Sequence, residues 1–236
     1  MKVLILGHKG MLGHMVYKYL STKDCEIVTT DLRWPSDELR NFVVDFDGDF
    51  VVNCIGAIHQ RTSEFGVNTD LPIWLDRLNK DFKIIHPGTD CEMDDDDYGN
   101  SKRAAAEYLI EKGQMTKIIK TSIIGPELNS KASLLEWFLN SEGEVSGYSE
   151  AYWNGNTTLQ WAKICYNLMI KWNDYKQLTI PTTGCVSKYD LLEIIKDVYE
   201  KDVLINIISD VKINKCLDGN LNTPSIKEQL LELRVF

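Results

Sequence analysis

Tyrosine followed four residues later by lysine occurs three times in this chain: Tyr19 with Lys23, Tyr98 with Lys102, and Tyr108 with Lys112. On a helix, such positions share a face. An ammonium beside a phenol favours the phenolate and lowers a pKa that is ordinarily near 10. The pairing can make tyrosine an acid or base near neutral pH. Spacing does not choose among three copies, so their places in the fold must.

A second pattern concerns binding. Gly7, Gly10 and Gly13 form G-x-x-G-x-x-G between the apolar run KVLIL and the amphipathic segment MLGHMVYKYL. Glycines permit a tight strand-to-helix turn and close backbone approach, and a helix N-terminus offers free N–H groups to a diphosphate. After a first strand, this is the pattern of a dinucleotide site. Asp31 ends the next strand, where an acid commonly holds a ribose 2′-hydroxyl and favours NAD. Arg33 and Lys9 are placed to meet a 2′-phosphate instead, so NADP(H) and NAD(H) both stand as cofactor readings.

These groups must be positioned by a regular frame. Strand patterns at KVLILG, EIVTTD, DFVVNCIG, FKIIHPGTD and TKIIKTSIIG alternate with helical patterns. Alternation of this kind predicts an α/β fold, a Rossmann-like doubly wound parallel sheet covered on both faces. The frame spans residues 1–125. Residues 126–236 read as a smaller C-terminal substrate lobe, with the helix near 158–171 returning to the sheet. Gly113 is the expected stop of the helix that begins at Tyr98, and Ser187 an expected N-cap.

Composition narrows the class. The chain has 236 residues, 44% hydrophobic content and a net charge of −9, against nucleic-acid or anionic-membrane partners. No apolar run approaches the ~18 residues needed to span a bilayer. The six cysteines, Cys25, Cys54, Cys91, Cys165, Cys185 and Cys216, stand singly. They suggest neither a metal site nor a disulfide framework, but reduced thiols in a cytoplasmic protein.

Position now separates the tyrosines. Ligands of doubly wound sheets bind outside the carboxyl ends of the strands. Tyr19 lies at the far end of the first helix. Tyr108 is about 15 Å further along its helix than Tyr98 and turned by about 80°. Only Tyr98 can face the strand tips together with a hydroxyl residue, Thr89.

The strand-end threonine, the Tyr-x-x-x-Lys helix and the glycine turn together resemble the extended short-chain dehydrogenase/reductases. The ordered segments GHKGMLGH, NCIGAI, GTDC, YGNSKRAAAE, TSIIGPEL, SLLEWFL, SKYDLL and CLDGN are similar to the dTDP-4-dehydrorhamnose reductase group over nearly the whole chain. The resemblance implies an NAD(P)-dependent oxidoreductase of a nucleotide-linked 4-keto-6-deoxy sugar. By position, Tyr98 would donate a proton to the sugar carbonyl. Lys102 would lower the Tyr98 pKa and contact the nicotinamide ribose, and Thr89 would hold the reacting oxygen. Gly7, Gly10, Met11 and Leu12 would border the diphosphate. Asn53, Cys54, Ile55 and Gly56 would form a turn beside the cofactor, and Thr121, Ser122 and Ile123 would line the nicotinamide pocket. Asp90, Cys91 and Trp153 would meet the substrate, Trp153 because a large aromatic in the polar YWNGN stretch has little reason to be buried. Trp137 reads instead as lobe core. Related enzymes suggest a homodimer through residues 67–79 and 98–112.

Two departures accompany the resemblance. Only residues 91–97 separate the Thr-Asp strand end from the tyrosine, and Asp94 to Asp97 would oppose a Tyr98 phenolate, Asp97 as helix cap. The stretch from Asp31 to Asn53 is short enough to lack one strand. Alternative readings are a nucleotide-sugar epimerase or dehydratase of the same superfamily, and a noncatalytic nucleotide-sugar or NAD(P)-binding subunit. Dehydratases typically carry Thr-Asp-Glu where this chain has Thr89-Asp90-Cys91, and Glu92, on an extended segment, would face away from Cys91.

Overall fold

The apolar runs become a six-stranded parallel sheet in the computed structural model, which describes all 236 residues, Met1–Phe236. The first half runs β1 (Lys2–Leu6), α1 (Met11–Leu20), β2 (Glu26–Thr30), α2 (Asp37–Val44), β3 (Phe50–Asn53), α3 (Gly66–Arg77), β4 (Lys83–Gly88), α4 (Asp97–Lys112) and β5 (Thr116–Lys120). The second half begins β6 (Ile123–Ile124), α5 (Leu134–Asn140), β7 (Glu144–Tyr148), β8 (Ala151–Trp153), β9 (Asn156–Thr157), α6 (Thr158–Ile170) and β10 (Leu178–Thr179). It ends with β11 (Pro181–Thr182), β12 (Val186–Ser187), α7 (Lys188–Tyr199), β13 (Leu204–Ile208), β14 (Ile213–Asn214), β15 (Leu221–Asn222) and α8 (Ile226–Val235).

The main sheet has the order β10-β5-β4-β3-β1-β2, each pair parallel. Alternation splits its side chains between two covered faces. Val3 and Ile5 point to the face packed by α1 and α6, where Val16, Trp161 and Leu168 are buried. Leu4 and Leu6 point to the other face, with Leu39 of α2 and Leu71 and Leu75 of α3. The chain passes from β2 through α2 straight to β3 on the far side of β1, leaving β2 at the edge. The strand that would lie outside β2 in the usual 3-2-1-4-5-6 order is missing, which accounts for the short stretch before Asn53.

Beyond residue 125 the chain does more than build a lobe. Helix α6 lies against α1, and β10 adds a parallel strand beside β5. The other elements gather around a separate apolar cluster of Leu135, Phe138, Trp153, Leu191, Ile195 and Leu230. Ser187 caps α7, its side chain accepting the Asp190 N–H at 3.0 Å. Gly113 closes α4 as expected.

Three expectations are corrected here. Trp153 is only 1% exposed, while Trp137 is 41% exposed. Strand β8 is the middle strand of a three-stranded sheet and turns Ala151 and Trp153 inward and Tyr152 outward, so Trp153 is lobe core and not a substrate platform. In α5, Leu135 and Phe138 take the inner face and leave Trp137 outside. The thiols are not all free either, because Cys185 and Cys216, 31 residues apart, form a disulfide between the loops flanking β12 and β14. No helix is long and apolar enough to cross a membrane.

Candidate active site

The cleft opens at the carboxyl ends of β1, β3, β4 and β5 and encloses about 470 Å³. Its floor begins with the glycine turn. Gly7 has φ +77°, a conformation that favours glycine. A Cβ on Gly13 would lie 2.1 Å from the Gly7 carbonyl oxygen, so that residue is fixed by close backbone packing. A Cβ on Gly10 would meet only the Gly7 oxygen, at 3.4 Å. Gly10 therefore faces open space, and with Met11 and Leu12 it lines the cleft.

Helix α1 starts differently from most helices in the chain. Helices α2, α4, α5, α6, α7 and α8 each have a Ser, Asp or Thr side chain accepting a first-turn N–H. Helix α1 starts at Gly10 with no side-chain cap and no acid in its first turn. Its free N–H groups and dipole are thus left for an external anion. A diphosphate fits this cradle.

The strand-end turn after β3 is pinned by side chains without an obvious motif. Asn53 accepts the Ile55 N–H at 3.1 Å and donates to His86 Nδ1 at 3.2 Å. Asn68 of α3, also buried, accepts the Ala57 N–H at 2.8 Å and donates to the Ala57 carbonyl at 3.1 Å. Cys54 and Gly56 reach the cleft wall. Ile55 packs against the α2–α3 face instead, and Asn53 acts from beneath. On the opposite wall, Thr121, Ser122 and Ile123 line the cleft. Asn156, fully buried, donates to Thr121 Oγ1 at 2.9 Å and to the Pro181 carbonyl at 2.8 Å. Its oxygen accepts from Thr223 and Gln229. Asn156 thus ties that wall to the lobe. Neither Asn68 nor Asn156 stands in a recognisable motif; only the polar residue amid apolar neighbours could have marked either.

The chemistry sits across from this wall. Thr89, Asp90, Cys91, Tyr98 and Lys102 all border the cleft. Residues Asp90–Met93 are not extended but form a 3-10 turn closed by a capping box, with Glu92 accepting the Thr89 N–H at 2.9 Å. Glu92 is buried against Lys120 at 2.7 Å and lies outside the cleft. Asp96, not Asp97, caps α4, accepting the Gly99 N–H at 2.6 Å. Thr89 donates its hydroxyl to Asp90 at 3.0 Å. The Tyr98 ring is held between His59 and Phe65, with centroids 5.1 and 5.6 Å away.

The electrostatics correct a further expectation. The Tyr98 phenol is not lowered by Lys102. Burial, followed by Cys91 and Asp90, pushes it up to about 12, with partial relief from Thr89. Asp94 to Asp97 are not the acids responsible. Lys102 is itself buried, and desolvation brings its ammonium down to about 8. Its Nζ would be 3.4 Å from a Cβ at Gly56, so the amine reaches the turn beside the cleft. Burial also pushes the Cys91 thiol up to about 11 and holds His86 well below its usual range, hence neutral.

The other tyrosine–lysine pairs have plain duties. Lys23 rests 4.6 Å from the centroid of the Tyr19 ring. Tyr108 accepts from Arg77 Nε at 3.0 Å, and Lys112 is exposed. Asp31 and Arg33 lie outside this cleft, Asp31 exposed and paired with Lys9.

No family model and no curated protein matches the sequence. The fold, however, is similar to those of solved nucleotide-sugar enzymes. A dTDP-4-dehydrorhamnose reductase from Clostridium acetobutylicum aligns over 100% of this chain and 99% of its own, with a TM-score of 0.78 and 20% identity. The dTDP-4-dehydrorhamnose reductase from Bacillus anthracis, in complex with NADP, aligns over 99% and 98% with a TM-score of 0.81 and 15% identity. A dTDP-glucose 4,6-dehydratase from the same species, in complex with NAD, aligns over 99% and 95% with a TM-score of 0.76 and 12% identity. The likeness is one of fold, and it spans the lobe as well as the sheet.

Proposed function

We propose that this chain is an NAD(P)-dependent reductase of a nucleotide-linked 4-keto-6-deoxy sugar, with the cofactor along the strand tips and the sugar between them and the lobe. One observation carries the reading: half-buried Tyr98 and buried Lys102 border, with Thr89, a cleft that starts at an uncapped, glycine-lined helix N-terminus. The likeness to reductases and the ordered sequence segments support it.

The residues present fit a nicotinamide dinucleotide, which would supply the hydride. Gly10, Met11 and Leu12 would hold its diphosphate, and Thr121 to Ile123 would line its nicotinamide end. Tyr98, held protonated through the physiological range, would give its proton to the carbonyl oxygen as that oxygen gains charge. Lys102, charged below about pH 8, would stabilise the phenolate left behind. Asn68 and Asn156 would keep the two walls in register.

The charge on Lys102 yields a pH prediction. A lysine with a lowered pKa is cationic below that value and neutral above it. The kcat/KM, which reports the free enzyme, should therefore fall by about tenfold per pH unit above about pH 8. Tyr98 stays protonated over that limb. A pH–rate profile checks this; Lys102→Arg should move the limb beyond the accessible range, because a guanidinium remains charged.

A dehydratase must also remove a proton from C5 and expel the C6 hydroxyl, which needs an additional acid/base pair at the sugar. Here Cys91 occupies the decisive position as a thiol, and Glu92 is consumed by Lys120 and the Thr89 N–H. A nucleotide 4-keto-6-deoxy sugar should therefore cause loss of nicotinamide absorbance, while the parent nucleotide-glucose should yield no keto product. Keto-sugar formation from nucleotide-glucose without net cofactor consumption would reverse the ranking. Cofactor binding with no turnover across a nucleotide-sugar panel would identify a noncatalytic subunit.

A further inference from the structure

The chain after β3 returns along the cleft as a tight turn, in which the Ile58 carbonyl accepts the Arg61 and Thr62 N–H groups at 3.0 and 3.2 Å. The turn presents three exposed polar side chains, His59, Gln60 and Arg61, and all three residues line the cleft. Two of them are fastened to other elements. His59 Nε2 lies 3.3 Å from Asp96 Oδ2 at the start of α4, and its ring packs on Tyr98. Arg61 donates from Nη2 to Glu127 at 3.3 Å and to Ser130 Oγ at 2.9 Å, both in the loop after β6. In the sheet, β4 lies between β3 and β5, and β6 follows directly on β5. The Arg61 and Glu127 loops therefore leave the sheet on either side of the strand that ends at Thr89. Both residues line the cleft, so their ion pair spans it.

The two partners are unequal. The Glu127 side chain is 5% exposed, that of Arg61 52%. Glu127 Oε2 accepts the Ala132 and Ser133 N–H groups at 2.8 Å each, which fixes it at the approach to α5. Against the cost of burial, Ser133, Ser130, Ala132 and Arg61 hold its carboxyl below the usual range, so it stays charged. Arg61 is carried instead by an exposed turn. An ion pair that is half in water holds weakly, and a short surface turn can open without disturbing the sheet. The carboxylate is the fixed member of the pair and the guanidinium the moving one.

We infer that residues 58–62 form a strap across the reaction end of the cleft and that Arg61, through Glu127 and Ser130, latches it, so that ligand exchange requires the latch to open. Arg61 is then a positioning residue. Closure keeps His59 against the Tyr98 ring and shields the reacting carbonyl from water. This role rests on the dinucleotide reading given above, which puts the nicotinamide beneath the strap.

Stopped-flow fluorescence of NADPH binding, with NADH in parallel, tests this without turnover. The latch holds the strap shut with and without ligand. Arg61→Ala should therefore raise the association and dissociation rate constants together, each by at least about fivefold, and leave Kd within about twofold. A residue that merely touched the cofactor would change dissociation alone. The Arg61 side chain is exposed, and an unchanged melting temperature confirms an intact fold. Glu127→Gln removes the charge and keeps an oxygen for the two N–H groups. It should reproduce both rate changes, and the double variant should add little more. Arg61→Lys should retain part of the closure, because an ammonium still pairs with Glu127. Unchanged rate constants in Arg61→Ala, or a rise in dissociation alone, would overturn the latch while leaving the dinucleotide site in place. Failure of the natural chain to bind either dinucleotide would remove the site itself, and the latch with it.

Discussion

Tyr98→Phe should lower kcat by about 10²–10⁴-fold, the scale of losing a general acid, with little change in cofactor affinity. The substitution removes one oxygen and leaves the ring between His59 and Phe65. Folding should therefore survive, and the loss can be assigned to the proton. Tyr108→Phe removes an acceptor of Arg77 on the outer surface, where one hydrogen bond contributes about 1 kcal/mol, and kcat should stay unchanged. Tyr19→Phe keeps the ring face that Lys23 covers and should also be silent. Steady-state kinetics on the three variants, with cofactor titrations beside them, is the measurement. A loss in Tyr108→Phe equal to that in Tyr98→Phe would remove the assignment.

What the sequence discloses follows how local each determinant is. Strands β1, β3, β4 and β5 were readable as apolar runs, and the placement of Tyr98 at the sheet's carboxyl edge follows from their order alone. Features that depend on distant packing were not readable in the same way. Trp153 sits in a polar stretch, but its burial is decided by distant residues of the lobe cluster it joins, among them Leu135, Phe138 and Leu191. The segment after Thr89 looked extended because Thr-Asp-Cys-Glu carries no helical period, yet the capping box between Thr89 and Glu92 folds it into a turn. The capping shift from Asp97 to Asp96 is a one-residue choice within a run of four aspartates. The Tyr98 and Lys102 electrostatics reverse the simple pair argument, because spacing shows a neighbour while burial sets the larger cost. Asn156 binds partners at residues 121, 181, 223 and 229, separations at which no motif operates. The Cys185–Cys216 bridge likewise joins isolated cysteines brought together by the lobe.

Gly10→Val should abolish nicotinamide dinucleotide binding without unfolding the chain. Two properties of the site make this a sharp expectation. Gly10 has φ −79° and ψ 168°, ordinary extended backbone, so a side chain introduces no conformational strain. Its Cβ would make a single van der Waals contact, 3.4 Å from the Gly7 oxygen. The added methyls would therefore extend into the cleft, in front of the uncapped N–H groups of α1, where a diphosphate must come close. The stability cost should be about 1 kcal/mol or less, from exchanging glycine for a poor N-cap residue. Gly13→Val is the contrasting variant. Its Cβ would sit 2.1 Å from the Gly7 oxygen, so it should disrupt the turn and lower the melting temperature together with binding. Thermal melts combined with cofactor fluorescence titrations separate the two outcomes. A Gly10→Val protein that melts like the natural chain and binds dinucleotide with unchanged affinity would mean that the turn is purely structural, and that the cofactor, if any, approaches the strand tips by another route.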